Sequence, residues 1–188
     1  MKIVLASESE FRKRALNMLG LAYEVCPARI DEKAIRDSDP AQLTRKLAQA
    51  KAWKVAADRP DAVIISGDAV ASKDGEIFEK PRDKTEARQF LKELSGSEFR
   101  FVTALTVINS RTRKELSAVE TSDILFRELA EAEIDDYVSK YDVVRYAGAF
   151  ESDAVLRFAE RICGSYNFVT ALPVSRLIVF LRAQGIAI

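Results

Sequence analysis

Histidine is absent from this 188-residue sequence, and that absence narrows the chemistry sharply. Without imidazole there is no Ser-His-Asp or Cys-His nucleophilic relay, no His-ligated metal and no use of the commonest general base. Cysteine is scarce as well. Cys26 and Cys163 stand far apart with no CxxC spacing, so neither a disulfide framework nor a zinc site is indicated, and both are expected as buried free thiols. Net charge is missing too: 29 basic and 29 acidic residues cancel. No global field draws the chain to nucleic acid or to an anionic membrane, and any anion site has to be local. No apolar run approaches the roughly 20 residues a membrane span needs, and Met1-Lys2-Ile3 reads as the start of a strand rather than a signal peptide. A cytoplasmic protein with no nucleic-acid or membrane partner is expected.

What remains is carboxylate, lysine, arginine and hydroxyl, in a chain with 48% hydrophobic residues, enough to bury one substantial core. A single domain over 1–188 is expected. Lys2–Ala6 reads as a strand and Glu10–Leu19 as a helix, with Ser9 as N-cap and Gly20 past its end. Ala22–Pro27 reads as a second strand, and Asp39-Pro40 opens a long helix to about Asp58. Ala62–Ser66 is a fully apolar strand, and Val70–Ser72 with Glu76–Phe78 flanks the hairpin signal Lys73-Asp74-Gly75. A helix over Thr85–Ser95 takes its cap from Asp83. Phe99–Asn109 and Lys114–Phe126 read as long antiparallel strands, and Glu131–Tyr141 as a helix with an acidic first turn. Ala154–Ile162 and Asn167–Thr170 have strand character, and Pro173–Gln184 closes the chain as a helix. Strands, helices and hairpins in this order predict a mixed α/β fold, a twisted sheet with flanking helices. Trp53 and Val55, and Leu177, Phe180 and Leu181, have core spacing on their helices.

Three features carry chemistry. In SESEFRKR, Ser7 to Arg14, a strand turns into a helix whose first turn offers unpaired N–H groups and a positive dipole end, the usual place for a phosphate. Ser7, Ser9, Arg12 and Lys13 add donors and positive charge there. The alternative is a solvated basic turn with a serine cap. Lys51 interrupts a helix face shared with Leu47, Ala48 and Val55, so it either snorkels outward or points inward and requires a partner. Ser66-Gly67-Asp68 ends an apolar strand and is followed beyond the hairpin by Glu79-Lys80-Pro81. A carboxylate at a strand mouth with a lysine nearby suits a bound cation and an anionic substrate, or else forms an ion pair at a sheet edge.

ASESEFRKRAL, IDEK, LAQAKA, ISGDAV, EKPRD, AEIDDYV, AGAFESDA and GSYNFVTALPV follow one another across nearly the whole chain, and together they resemble the Maf family. The resemblance implies a nucleoside triphosphate pyrophosphatase with an inosine-triphosphatase-like fold and an active-site cleft. The family's Ser-x-Ser-Pro-Arg-Arg type motif falls on Ser7 to Lys13, with its proline and one arginine altered. Its acidic residue falls on Glu32, its helix lysine on Lys51, its catalytic aspartate on Asp68 and its lysine before proline on Lys80. On this basis Glu32 and Asp68 are expected to hold a divalent cation (Mg²⁺, Mn²⁺ or Co²⁺). Asp68 would also orient or deprotonate the water attacking the α-phosphate, while Arg12, Lys51 and Lys80 neutralise the departing pyrophosphate. Relatives suggest a homodimer.

The resemblance also marks positions that choose the base. They hold arginine, threonine and glutamine in the dTTP/UTP branch, and tryptophan, glutamine and glutamate in the branch acting on 7-methyl-GTP; here they are Phe11, Ala69 and Asp153. Phe11 and Asp153 keep the chemistry of the second branch and Ala69 matches neither. A cationic 7-methylguanine over Phe11 would gain roughly 0.5–2 kcal/mol, and Asp153 would accept from guanine N–H groups. The expected substrate is 7-methyl-GTP. The alternatives are a dTTP/UTP pyrophosphatase and a nucleotide-binding regulator of septum formation with little turnover.

Overall fold

The computed structural model describes residues 1–188 apart from the side chain of Asp153, so the base-reading expectation for that residue lies outside the described residues. In chain order the elements are β1 (Lys2–Leu5), α1 (Glu10–Met18), β2 (Glu24–Val25), a 3-10 turn (Glu32–Ala34), α2 (Pro40–Ala57), β3 (Ala62–Lys73) and β4 (Glu76–Phe78). They continue with α3 (Lys84–Leu94), β5 (Glu98–Asn109), β6 (Lys114–Phe126), α4 (Glu131–Lys140), α5 (Ser152–Phe158), β7 (Ala159–Gly164), α6 (Asn167–Thr170) and α7 (Val174–Ala183). The strands form a seven-stranded mixed sheet in the order β2-β1-β3-β5-β6-β7, with β4 paired to β3. The chain divides into two compact units: Met1–Ala69, Thr103–Glu120 and Tyr166–Ile188 make the first, Val70–Val102 and Thr121–Ser165 the second.

In the first unit β1 runs parallel to β2 and to β3, with Lys2 opposite Ala62 and Leu5 opposite Ile65. Parallel strands are covered on both faces and so read as unbroken apolar runs. On one face Ile3, Leu5, Val63 and Ile65 pack with Leu16 of α1 and Leu177 of α7. On the other, Val4, Ala62 and Ile64 pack with Ala52, Val55 and Ala56 of α2. The start of α2 is the expected one: the Asp39 carboxylate accepts the Ala41 N–H at 2.8 Å, and Pro40 opens the first turn. Trp53 is half-buried rather than enclosed. Its indole N–H requires a partner and donates to Glu115 at 2.6 Å, with the Arg113 guanidinium 5.0 Å above the ring.

The second unit is held by aromatic rings. Phe99 and Phe126 meet edge to face at 4.7 Å, and Phe150 lies 5.5 Å from both. Tyr137 packs on Phe158 at 5.1 Å and its hydroxyl accepts the Glu151 N–H; burial raises its pKa. The β3–β4 hairpin closes through Asp74 and Gly75, both at positive φ (52° and 85°), as a two-residue turn of the I′ kind demands. Asp83 caps α3 by accepting from the Thr85 and Glu86 N–H groups, which hold its carboxyl below the usual range. In the acidic first turn of α4, the Arg127 guanidinium and the Ala130 N–H pull Glu133 down to about 2.

Several expectations are corrected. Ala62–Ser66 and Val70–Ser72 are one unbroken strand, β3, so Ser66-Gly67-Asp68 lies inside a strand instead of ending one. The stretch expected as a strand over Ala154–Ile162 is α5 followed by β7: Ala154, Val155 and Phe158 bury one helical face, a pattern a short apolar run does not distinguish from a strand. Asn167–Thr170 is a helical turn, because the Asn167 amide donates inward to Thr103 Oγ1 and to the Glu120 carbonyl instead of alternating. The strand expected over Ala22–Pro27 shrinks to Glu24–Val25. Neither thiol is buried: Cys26 is half-buried and Cys163 exposed, both free. Among the described residues no helix is long and apolar enough to cross a membrane.

Candidate active site

Lys51 does not snorkel. Its ammonium lies 2.7 Å from Asp68 Oδ1 and 3.1 Å from Glu32 Oε2, joining α2, β3 and the 3-10 turn. The strand and helix faces make this meeting: residues of β3 alternate, so Asp68 points to the same side as Ile64, the side covered by α2. The 3-10 turn that carries Glu32 is fixed by Asp31, whose carboxylate accepts the Lys33 N–H at 3.1 Å. Lys51 and Asp68 are buried, with side chains 10% and 9% exposed, while Glu32 is half exposed. A buried lysine is tolerated where it is paired, and this one has two carboxylates. The partner that the sequence left to a ligand is supplied by the protein.

The other side of β3 receives Arg12. Its Nε donates to the Ala171 carbonyl at 3.1 Å and its Nη1 to Ser7 Oγ at 3.1 Å. Burial pulls the guanidinium below its ordinary pKa, opposed by the charges of Asp68 and Glu32, so Arg12 feels the same two carboxylates that hold Lys51. Gly67 leaves room for this arrangement, since a Cβ there would stand 3.3 Å from Arg12 Nε. Ala171 is the residue sequence reasoning missed. It aims its carbonyl at Arg12 from a left-handed backbone, φ 48° and ψ 33°, and nothing in Thr-Ala-Leu-Pro announces it. An alanine in that region costs roughly 1–2 kcal/mol, part of which glycine returns through its greater unfolded-state freedom. Ala171→Gly is therefore expected to raise the midpoint of thermal unfolding by about 1–4 °C; a lowered midpoint would show that no strain is held there.

The remaining residues expected at the site are placed as follows. Ser9 stands at the N-cap of α1 without a side-chain cap; its N–H donates to Ser7 Oγ at 3.2 Å, so Ser7 is the organising hydroxyl. Lys13 bonds Glu10 at 2.8 Å, and adjacent helical residues do not share a face, so it is not gathered with Arg12. Phe11 and Ala69 are half-buried in the first unit, while Lys80 is exposed in the second, just beyond β4.

For a divalent cation, the chemistry of the donor set fits. Glu32 and Asp68 offer hard oxygens converging on one point, and Ser66 Oγ, fully buried two residues before Asp68, has no hydrogen-bond partner among the described residues. No cluster of three or more His, Cys, Asp or Glu is found among the described residues. Two carboxylates are what Mg²⁺ ordinarily takes from a protein, its shell being completed by water and substrate phosphates.

Comparison with known proteins bears on what this site is for. Residues 2–184 match the family described as Maf-like protein. A dTTP/UTP pyrophosphatase of Salinibacter ruber is 34% identical over 184 residues, covering 97% of this chain and 90% of the relative. Among solved structures, a HAM1 protein from Coxiella burnetii superposes with a TM-score of 0.55 at 14% identity, covering 97% of this chain and 99% of its own. That likeness is one of fold, and it agrees with the mixed α/β architecture.

Proposed function

The chain belongs to the Maf-like protein family, and from that premise we propose that it hydrolyses a nucleoside triphosphate to the monophosphate and pyrophosphate, residues 1–188 acting as one catalytic domain. The observation that carries the proposal is the Glu32–Lys51–Asp68 chain, buried at Lys51 and Asp68, with Arg12 in its field. Two acids and a lysine meet, with an arginine on the other side of β3 and no histidine, a set that suits charge stabilisation at the phosphates of a nucleotide. Phosphoryl transfer asks for positioning and charge neutralisation more than for covalent help.

In this reading the Asp68 carboxylate orients a water and accepts its proton as the water oxygen bonds to the α-phosphorus. The bond from that phosphorus to the bridging oxygen breaks, and pyrophosphate leaves. Arg12, fixed by Ser7 and Ala171, and Lys51 neutralise the triphosphate oxygens; Ser7 and Ser9 add donors, and the resemblance assigns Lys80 to the leaving pyrophosphate. A divalent cation held by Glu32 and Asp68 would supply charge stabilisation at the phosphates.

The base is a finer matter. Identity spread over 184 residues reflects fold and common chemistry, whereas base choice rests on the few side chains that touch the ring. Phe11, half-buried at the head of α1, favours a cationic 7-methylguanine by ring stacking, and Asp153 adds an acceptor on the sequence argument. The Salinibacter relative supports the second reading, dTTP or UTP. A panel of 7-methyl-GTP, GTP, UTP and dTTP at equal concentration, read by pyrophosphate release, separates them. Fastest turnover of 7-methyl-GTP is expected; faster pyrimidine turnover selects the second reading, and no release from any nucleotide refutes the enzymatic proposal.

A further inference from the structure

The point where a divalent cation would bind its two carboxylates is the point at which the Lys51 ammonium stands. Nζ is 2.7 Å from Asp68 and 3.1 Å from Glu32, and a magnesium-sized ion bonding the same oxygens at about 2.0–2.1 Å contends for the same space. The charges are also offset before any ligand arrives: Lys51 pairs with both carboxylates, and the positive charge of Arg12, on the other side of β3, adds to their neutralisation. No local excess of negative charge attracts a free dication, and two buried cations this close repel. A triphosphate changes both conditions, because it brings several negative oxygens and gives the ammonium somewhere else to bond.

Resting on the reading of this cluster as a triphosphate site, we infer that Lys51 is the resident counter-ion of the Glu32–Asp68 pair, and that a divalent cation enters only together with a triphosphate, which draws Lys51 away from the carboxylates. Lys51 thus does two things in sequence. It holds the two acids at their working separation in the free protein, and it becomes a phosphate ligand once nucleotide is bound. The binding of ion and nucleotide is consequently coupled, and mutual tightening of about 5- to 150-fold is the usual scale of such coupling.

Manganese provides the test, titrated alone into nucleotide-free protein and followed by the electron paramagnetic resonance signal of free Mn²⁺. The wild type is expected to show no site that disappears with Asp68→Asn. Lys51→Met should gain a site at least about tenfold tighter, within the range of such coupling. Lys51→Arg, which keeps the charge, should not gain it, and Lys51→Met combined with Asp68→Asn should lose it again. An Asp68-dependent Mn²⁺ site in the nucleotide-free wild type overturns the inference, as does a folded Lys51→Met that gains none. Should Lys51→Met fail to fold, the wild type decides by itself: an Asp68-dependent Mn²⁺ site present only with the α,β-methylene analogue of the preferred triphosphate supports the inference, and one present without it sinks it. These measurements need no turnover, so a failed nucleotide panel and a failed Mn²⁺ titration are separate results.

Discussion

Asp68→Asn is expected to reduce pyrophosphate release by roughly 100- to 10,000-fold, the usual effect of removing a general base. Asparagine keeps the outline of the side chain and one oxygen able to accept from Lys51 at 2.7 Å, but it cannot take up the proton of the attacking water. It also leaves a buried ammonium with a single, half-exposed carboxylate, Glu32, at 3.1 Å. Breaking a buried pair outright costs about 3–5 kcal/mol; with Glu32 still in place the loss should fall at or below the lower end, about 3 kcal/mol. In a chain of this length each kcal/mol lowers the unfolding midpoint by about 2–4 °C, so the variant should melt less than about 12 °C early and be folded at assay temperature. Measuring turnover and the thermal midpoint on one preparation separates a chemical role from a structural one. A variant that melts early yet turns over at the wild-type rate would reduce Asp68 to a structural partner of Lys51.

The features legible in the sequence were those whose cause is local. Asp39-Pro40 announces the start of α2, and Asp74-Gly75 announces its hairpin, because cap and turn chemistry act within a few residues. The run Ala62 to Ile65 announces a strand buried on both faces. Lys51 was legible as an anomaly, a cation on an apolar helix face, although the sequence does not say that two carboxylates far along the chain would meet it. The continuation of β3 through Gly67 and Asp68 was hidden for a complementary reason. Both residue types are depleted in strands, and it is tertiary contacts that keep them there: Asp68 is paired with Lys51, and Gly67 admits neighbours too close for a side chain. The left-handed Ala171 carries no sequence mark at all, since the hydrogen bond that gives its conformation a purpose comes from Arg12 at the opposite end of the chain.

Gly67→Ala should accordingly damage both the fold and the site, and in a distinguishable proportion. The added Cβ would meet Leu172 Cδ1 at 2.7 Å, the Ala104 carbonyl oxygen at 2.9 Å and Arg12 Nε at 3.3 Å. Leu172 is fully buried in the core between β3 and α7, so its terminal methyl has little space to yield, and Ala104 belongs to the backbone of β5. Overpacking of this kind costs about 1–3 kcal/mol, or an unfolding midpoint lowered by about 2–12 °C. The catalytic loss follows from the third contact. Arg12 is aimed by bonds to Ser7 and Ala171, and a displacement on the order of 1 Å in a positioning group can cost about 100-fold in rate. Combining Gly67→Ala with Leu172→Val removes the 2.7 Å collision but not the other two, so the pair should regain more of the thermal midpoint than of kcat. Full recovery of both would place the whole effect in Leu172 and leave Arg12 indifferent to Gly67. Wild-type melting and turnover in the single variant would contradict the close approach of β3 to its neighbours on which the positioning of Arg12 depends.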